Sequence, residues 1–173
     1  HADPAAELPV IAIAAGARMK VTGSGGDRWV EARDFFQGMF FTALEPDEML
    51  VEVFFPLQTK RVGWSFDEIS RRRGDYAMMG VAVWVTLDDS GTCAEARLVY
   101  LNAGDGPVVA EKAAQILIGE RPSETVFTAA ANEAADNAID PMGNVHTSIE
   151  FQRHLARVLT NRALKTAFER AQI

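Results

Sequence analysis

The spacing of apolar residues near the start of the chain predicts a short helix. Apolar side chains within 10–14 recur on one helical face, and Pro9 restarts the turn before them. Asp3 is a residue type that caps helix starts, and Pro4 suits the first helical position. Gly16 is typical of the position just beyond a helix end. We therefore expect a helix that is entered at Asp3 and Pro4 and closed at Gly16.

Blocks of β-branched and aromatic residues predict strands over the next part of the chain. Segments 17–22 and 28–31 form a predicted pair, joined by a glycine-rich turn at 23–27. A β-rich run at 49–55 predicts another strand, which Pro56 ends. The phenylalanines between these strands are predicted to be core aromatics around a short helix: Phe35, Phe36, Phe40 and Phe41.

A change in composition at 57–61 marks a predicted domain boundary, and the pattern beyond it differs. Three segments there predict strands, at 62–69, 78–87 and 92–102. The last two are expected to form a hairpin, because a tight turn is predicted at 88–91. Alternation along the third strand places the following residues on one face: Ala94, Ala96, Leu98 and Tyr100.

The remainder of the chain predicts helices that cover this sheet. Amphipathic spacing predicts three of them, at about 109–118, 123–138 and 148–171. Ser123 is a good cap for the second helix. We therefore predict an α+β fold, in which residues 61–173 form a small antiparallel sheet packed with three helices and residues 1–60 form a separate unit.

Composition and charge exclude several function classes. The net charge of −7 argues against a nucleic-acid surface, because such surfaces need clustered cations. The single cysteine, Cys93, excludes a disulfide framework and an iron–sulfur cluster held by this chain alone, and fits a reducing cytoplasm. The three histidines are too widely spaced for a metal motif. No apolar run approaches the ~20 residues of a membrane-spanning helix, so we expect a cytoplasmic protein.

The densest chemistry lies in the segment 71–76, where three arginines precede Gly74, Asp75 and Tyr76. One interpretation is a solvated edge with an arginine paired to Asp75 or Asp67. The other is an anion or interface site that binds phosphate or carboxylate through a guanidinium fork. Gly74 lets the backbone turn tightly there. Tyr76 is either a half-buried aromatic or a ring that packs against a planar cofactor.

Glu7 also has two interpretations. Its carboxylate complements the positive end of the predicted helix, or it accepts hydrogen bonds from sugar or ribityl hydroxyls. The glycine-rich stretch at 23–26 is interpreted as a hairpin tip, because no helix follows it at the distance a phosphate loop requires.

Four segments together carry a resemblance to a known family: HADPAAELP at 1–9, PDEMLVEVFFP at 46–56, RRRGDYAMMGVAV at 71–83 and IEFQRHLARVLTNRAL at 149–164. They resemble the FAD-binding medium subunit of molybdenum hydroxylases, the family of carbon monoxide dehydrogenase medium chains and the FAD region of xanthine dehydrogenase. The resemblance runs the length of the chain. It implies that residues 1–60 are the end of a PCMH-type FAD-binding domain and residues 61–173 a CO dehydrogenase flavoprotein C-terminal-like domain.

The resemblance also implies that this chain is a C-terminal fragment. The family's two glycine-rich loops, which hold the FAD pyrophosphate, belong to an N-terminal segment that is not in this sequence. The implied FAD contacts that remain here are Asp3, Glu7, Leu50, Glu68, Arg72, Asp75 and Tyr76. Leu50 would pack near the isoalloxazine, and the last three would border the flavin ring. Glu68 falls near a position where relatives often have lysine.

By the same resemblance, the subunit is part of an oxidoreductase. A large partner subunit with molybdopterin oxidises the substrate, a small subunit with two [2Fe–2S] clusters passes the electrons to FAD, and an external acceptor receives them. A dimer of heterotrimers is expected, and no residue of this chain is expected to be catalytic. Two other classes stay open from the residues alone: a non-enzymatic docking module, and a small-molecule-binding domain without flavin.

Overall fold

The computed structural model describes residues 1–58 and 60–172, and it confirms the α+β class. Thr59, inside the predicted boundary, and Ile173 lie outside the described residues. The helices are α1 (Glu7–Ala14), α2 (Ala32–Phe35), α3 (Glu111–Leu117), α4 (Glu124–Glu133) and α5 (Ile149–Ala171). The strands are β1 (Arg18–Gly23), β2 (Gly26–Glu31), β3 (Phe36–Gly38), β4 (Phe41–Thr42), β5 (Met49–Phe54), β6 (Val62–Ser70), β7 (Ala77–Leu87), β8 (Cys93–Leu101) and β9 (Val108–Val109).

Helix α1 begins at Glu7, so the prediction that Asp3 caps it was wrong. Pro9 explains the later start: it has no N–H, which a helix tolerates only in its first turn. Asp3 instead closes a turn of its own. Its carboxylate accepts the Ala5 N–H at 2.9 Å and its carbonyl accepts the Ala6 N–H at 3.0 Å.

The end of α1 follows the prediction. Gly16 adopts a φ of +68°, a conformation that favours glycine. The N–H of Ala17 bonds to the carbonyl of Ala12 at 2.8 Å, and that of Gly16 bonds to Ile13 at 3.0 Å. This pair of bonds is a Schellman motif, which turns the chain directly into β1.

The first sheet has the strand order β2–β1–β5. Gly23 pairs with Gly26, which confirms the glycine-rich stretch as a hairpin tip. Two of the predicted core aromatics were wrong: Phe40 and Phe41 are 63% and 72% exposed. They lie at the turn and on β4 of a two-stranded ribbon that pairs with neither of the larger sheets. Phe35 is buried, as predicted.

The second large sheet has the order β6–β7–β8–β9, with antiparallel pairing throughout. One face packs against α3, α4 and α5, while α1 and β1 cover the other. Both faces of β8 are therefore buried at its end, where Leu98 and Tyr100 join the first core and Val99 and Leu101 join the second. The prediction placed apolar residues on one face of this strand, whereas the structure buries residues on both faces.

The three predicted helices are present with shifted bounds. Val109 pairs with Val99 as part of β9, so α3 starts only at Glu111. Ser123 caps α4 as predicted, since its Oγ accepts the Val126 N–H at 3.3 Å. The second predicted helix is α-helical only as far as Glu133, and a π-helical turn follows over Ala134–Ala138. Helix α5 lies across β6 and β7. Of its predicted apolar positions, Leu155, Leu159, Ala163 and Phe168 are buried, whereas Phe151 and Val158 are exposed.

Candidate functional site

Two clefts meet at the start of α1. The first, called here the acidic cleft, has a volume of about 390 Å³ and is lined by Ala6, Glu7, Glu68, Gly74, Asp75 and Tyr76. The second, called here the apolar cleft, has a volume of about 460 Å³ and is lined chiefly by Glu7, Met19, Phe36, Leu50, Val53 and Phe55. Ala6 and Glu7 line both, so the first turn of α1 is the ridge between the clefts.

The fold brings together most of the residues that the sequence singled out. The acidic cleft is lined by Glu7, Glu68, Asp75 and Tyr76. In the sequence, strands β1 to β6 lie between Glu7 and Tyr76. Asp3 and Leu50 join Glu7 in the apolar cleft.

Arg72 differs from the other six predicted site residues. It lines neither cleft, and its side chain is 80% exposed. Its Nε lies 3.4 Å from the Asp75 carboxylate, so its connection to the acidic cleft runs through that residue.

The loop between β6 and β7 presents Asp75 and Tyr76 to the acidic cleft. Gly74 has a φ of +80°, and the Asp75 N–H bonds to the Arg72 carbonyl at 3.1 Å. The arginines thus lie in a turn beyond the strand. Arg71 and Arg72 both approach Asp75, whereas Asp67 is held by Arg162 at 2.8 Å.

Asp75 is ionised in this arrangement. Partial burial opposes its charge, but the Arg71 guanidinium and the Tyr76 N–H donate to it, each at 3.1 Å, and Arg72 adds a positive charge. The net effect holds the pKa of Asp75 below its usual value. A fixed negative charge therefore stands beside Tyr76, whose ring is 73% exposed.

The pKa of Glu68 is shifted in the opposite direction. Its Oε2 is buried and has no hydrogen-bond partner among the described residues. Burial raises the pKa of this carboxyl, and the charges of Glu7 and Asp67 raise it further. A buried oxygen without a partner costs stability unless a ligand supplies a donor, so Glu68 is a candidate ligand contact.

Two polar residues that bond to backbone beside the acidic cleft were not singled out from the sequence: Asn102 and Gln152. Gln152 is 1% exposed on the apolar side of α5, beside Leu155 and Ala156. A polar residue within an apolar helical stripe is the signal that would have identified it.

A third cavity, of about 550 Å³, lies between the end of α1, β8 and α3. None of the seven predicted site residues lines it. Charges at its rim pair with one another, as Arg33 does with Glu111 at 2.8 Å. Although it is the larger space, it lacks the convergence of predicted residues that distinguishes the two clefts.

Comparison with known proteins identifies the class to which this fold and these clefts belong. Residues 64–167 match the CO dehydrogenase flavoprotein C-terminal domain, and residues 1–58 match the FAD binding domain in molybdopterin dehydrogenase. The first match covers more than half of the chain. The chain therefore belongs to the CO dehydrogenase flavoprotein family, the FAD-binding medium subunits of molybdenum hydroxylases. This confirms the predicted family.

Two curated relatives are similar over 99% of this chain. The 6-hydroxypseudooxynicotine dehydrogenase complex subunit alpha of Paenarthrobacter nicotinovorans is 37% identical, and the chain covers 58% of it. The carbon monoxide dehydrogenase medium chain of Afipia carboxidovorans is 32% identical, with 59% covered. The chain thus spans less than two thirds of the length of these relatives.

Solved structures agree with these relationships. Carbon monoxide dehydrogenase from Hydrogenophaga pseudoflava superposes with a TM-score of 0.93 at 30% identity, over 98% of this chain and 58% of that one. Quinoline 2-oxidoreductase from Pseudomonas putida 86 superposes with a TM-score of 0.91 at 34% identity, over 100% of this chain and 59% of that one.

The two clefts fit one part of FAD. Apolar side chains such as Leu50 and Val53, together with the exposed ring of Tyr76, can pack against a planar ring system. The unpartnered oxygen of Glu68 can accept a hydrogen bond from an N–H or hydroxyl group. Among the described residues that line the clefts, however, none is lysine or arginine. The residues present therefore fit the isoalloxazine and ribityl portions, but not the pyrophosphate.

Two further observations bear on the class. Within residues 1–58 and 60–172, no helix combines the length and apolar character that a membrane crossing requires. In the same residues, no group of three or more His, Cys, Asp or Glu side chains is arranged to hold a metal ion.

Proposed function

We propose that this chain is part of the FAD-carrying electron-transfer subunit of a molybdenum-containing hydroxylase or dehydrogenase. One observation carries the proposal: the start of α1 and the loop between β6 and β7 converge on one cleft in a chain of this family. The proposed division places residues 1–60 in a PCMH-type FAD-binding domain and residues 61–173 in the C-terminal domain. The connection between β5 and β6 contains this boundary.

The proposed contacts divide by chemistry. Leu50 and Tyr76 pack against the ring, while the carboxylates of Asp3, Glu7 and Glu68 accept hydrogen bonds from its polar groups and from the ribityl chain. FAD, when bound, accepts electrons from iron–sulfur clusters and delivers them to an external acceptor.

Charge near the ring is the other contribution of the chain. Asp75 places a fixed negative charge at the cleft. The exposed Arg72 side chain, whose Nε lies 3.4 Å from the Asp75 carboxylate, partly offsets that charge. Asp75 and the two arginines that contact it, Arg71 and Arg72, contribute to the electrostatic potential that the ring experiences. None of these residues exchanges a proton with the organic substrate in this proposal.

We further propose that the subunit works in the cytoplasm with two partners: a large molybdopterin subunit and a small [2Fe–2S] subunit, as a dimer of heterotrimers. The names of the relatives support an assembly, since one is a "medium chain" and another a "complex subunit". Cys93 is buried in the core, and burial raises the pKa of its thiol to about 11.

The test is FAD retention by the purified assembly. Tyr76→Ala and Glu7→Gln should each raise the dissociation constant for FAD about tenfold, which is about 1.4 kcal/mol. Phe41→Ala is the matched control, because Phe41 is 72% exposed, against 73% for Tyr76, and lines neither cleft.

The outcome that contradicts the proposal is an assembly without flavin, or equal FAD retention in all three variants. A colourless assembly that still contains this chain would favour the docking-module alternative instead.

A further inference from the structure

Asn102 connects the two walls of the acidic cleft through its own backbone and side chain. It follows β8 with a φ of +52°. Its N–H donates to the carbonyl of Pro4 at 2.6 Å, on the wall formed by the start of the chain. Its Nδ2 donates to the carbonyls of Ala77 at 2.8 Å and Met78 at 3.2 Å, directly after Tyr76 on the other wall.

Gln152 completes this arrangement from α5. Its Nε2 donates to the carbonyl of Met78 at 3.0 Å and to that of Asn102 at 3.3 Å. Its Oε1 accepts the N–H of Gly143 at 2.9 Å. A single buried amide thereby bonds to β7, to the segment after β8 and to the loop before α5. Only an amide combines the donors and the acceptor that these three bonds need.

The loop before α5 returns to the acidic cleft. His146 Nδ1 lies 3.3 Å from Nη1 of Arg71, and Nη2 of Arg71 donates to Asp75 at 3.1 Å. Two sets of contacts therefore connect Gln152 to the cleft. One is its bond to Met78, and the other is its bond to Gly143 in this loop.

The two walls depend on these bonds for their separation. In the described part of the chain, no strand ladder joins residues 2–6 to residues 71–76. Both segments are irregular backbone, so fixed partners must hold them in place. The bonds of Asn102 supply such partners at Pro4 and Ala77, which are next in sequence to Ala5 and Tyr76 of the acidic cleft.

We propose that Asn102 and Gln152 are positioning residues for the flavin: they set the distance between the α1 wall and the Tyr76 wall of the acidic cleft. This proposal rests on the proposed function, since it assumes that the cleft takes part of FAD. It assigns to two residues that touch no ligand a specific effect on cofactor binding, in addition to their effect on stability.

Two variants in the assembled enzyme test it. Gln152→Met keeps the volume and removes all three bonds of the amide. Asn102→Asp keeps the shape and the backbone bond to Pro4 but removes the donors to Ala77 and Met78. Thr160→Val is the matched control: it is on the same helix, it is fully buried, and it removes a 2.5 Å bond to Tyr100 in the core away from the clefts.

Three quantities are measured for each variant: the thermal midpoint, the FAD dissociation constant and the visible circular dichroism of the bound flavin. Gln152→Met and Asn102→Asp should raise the FAD dissociation constant about tenfold, equal to about 1.4 kcal/mol, and should change the visible circular dichroism. Thr160→Val should lower the thermal midpoint while it leaves both flavin signals as in the wild type.

The proposal is overturned if the two variants match Thr160→Val, with a lower thermal midpoint and unchanged flavin signals. If Gln152→Met does not fold, the result for Asn102→Asp decides. A wild-type assembly that binds no FAD would instead refute the proposed function, and this inference with it.

Discussion

The guanidinium of Arg71 donates to the carboxylate of Asp75 at 3.1 Å, and the same guanidinium lies 3.3 Å from His146. The contact between Arg71 and His146 joins the loop between β6 and β7 to the loop before α5. Because Asp75 also accepts the Tyr76 N–H, one carboxylate fixes both the charge and the backbone at the cleft. The electrostatics of the site thus depend on a contact between segments that are distant in sequence.

Asp75→Asn should raise the midpoint potential of the bound flavin by about 30 mV, the equivalent of about tenfold for a two-electron couple. The physical reason is that Asp75 repels the negative charge that reduction adds to the ring. Redox titration of the purified assembly measures the shift. Asp89→Asn is the control, since it removes the same charge from a fully exposed side chain at the opposite end of β7, roughly 30 Å away. Equal potentials in Asp75→Asn and the wild type would refute the assigned role.

Glu68→Gln should stabilise the protein without FAD by about 1 kcal/mol at neutral pH, because it removes the charge from a carboxylate whose buried Oε2 has no hydrogen-bond partner among the described residues. The same change should weaken FAD retention, since the ligand donor loses a charged acceptor.

The effect of Glu68 on stability should depend on pH. Its pKa in the folded state is raised above 4.5, so the ionised group destabilises the fold only above that value. Relative to Glu68→Gln, the wild type should lose stability as pH rises from about 4.5. Urea unfolding at several pH values measures this, with Glu95→Gln as an exposed control on the same sheet. Parallel curves for the wild type and Glu68→Gln would contradict the prediction.

Gly63→Ala should lower the free energy of unfolding by about 3 kcal/mol, because α5 lies directly on β6 at this position. A methyl group there would lie 1.8 Å from the Ala167 carbonyl oxygen and 2.6 Å from the Ala171 nitrogen, so the helix would have to shift. Gly25→Ala at the β1–β2 hairpin meets no atom within 4 Å and should change stability by less than about 0.5 kcal/mol. Urea denaturation followed by circular dichroism compares the two; equal effects would show that α5 packs differently.

The pair of Arg28 and Glu48 should contribute a pH-dependent part of the stability. Hydrogen bonds from Arg28, at 2.7 and 2.6 Å, and from the Glu45 N–H lower the pKa of Glu48 from 4.5 to about 2. A depressed pKa means that the stabilisation is complete above about 4.5 and is lost as pH falls toward about 2. The difference in unfolding free energy between the wild type and Glu48→Gln should therefore shrink over this range. Glu52→Gln, an exposed change on β5, should show no such trend.

Local features of the chain were predictable from the sequence because neighbouring residues decide them. Gly16 closes α1, Ser123 caps α4, and the glycine-rich tip at 23–26 joins β1 to β2, each through backbone conformations or hydrogen bonds that span a few positions. The resemblance of the quoted segments identified the family. The start of α1 shows the limit of this reasoning, since Asp3 and Pro9 gave competing local signals and Pro9 prevailed.

Contacts between distant segments were not predictable in the same way. Nothing near Phe40 or Phe41 in the sequence shows that both side chains are exposed on a ribbon that pairs with neither larger sheet. Likewise, the bonds of Asn102 to Pro4 and of Gln152 to Met78 join residues that are far apart in the chain.

The sequence by itself determined the α+β class and the family, and six of the seven residues that it singled out line the two clefts. Only the tertiary structure decided that Glu68 Oε2 has no hydrogen-bond partner among the described residues and that Arg72 contacts Asp75 but lines neither cleft. It also decided that Asn102 and Gln152 bond to the backbone beside the acidic cleft. The physical reason is that helix ends and turns follow from bonds within a few residues, whereas burial and long-range hydrogen bonds depend on how sheets and helices pack.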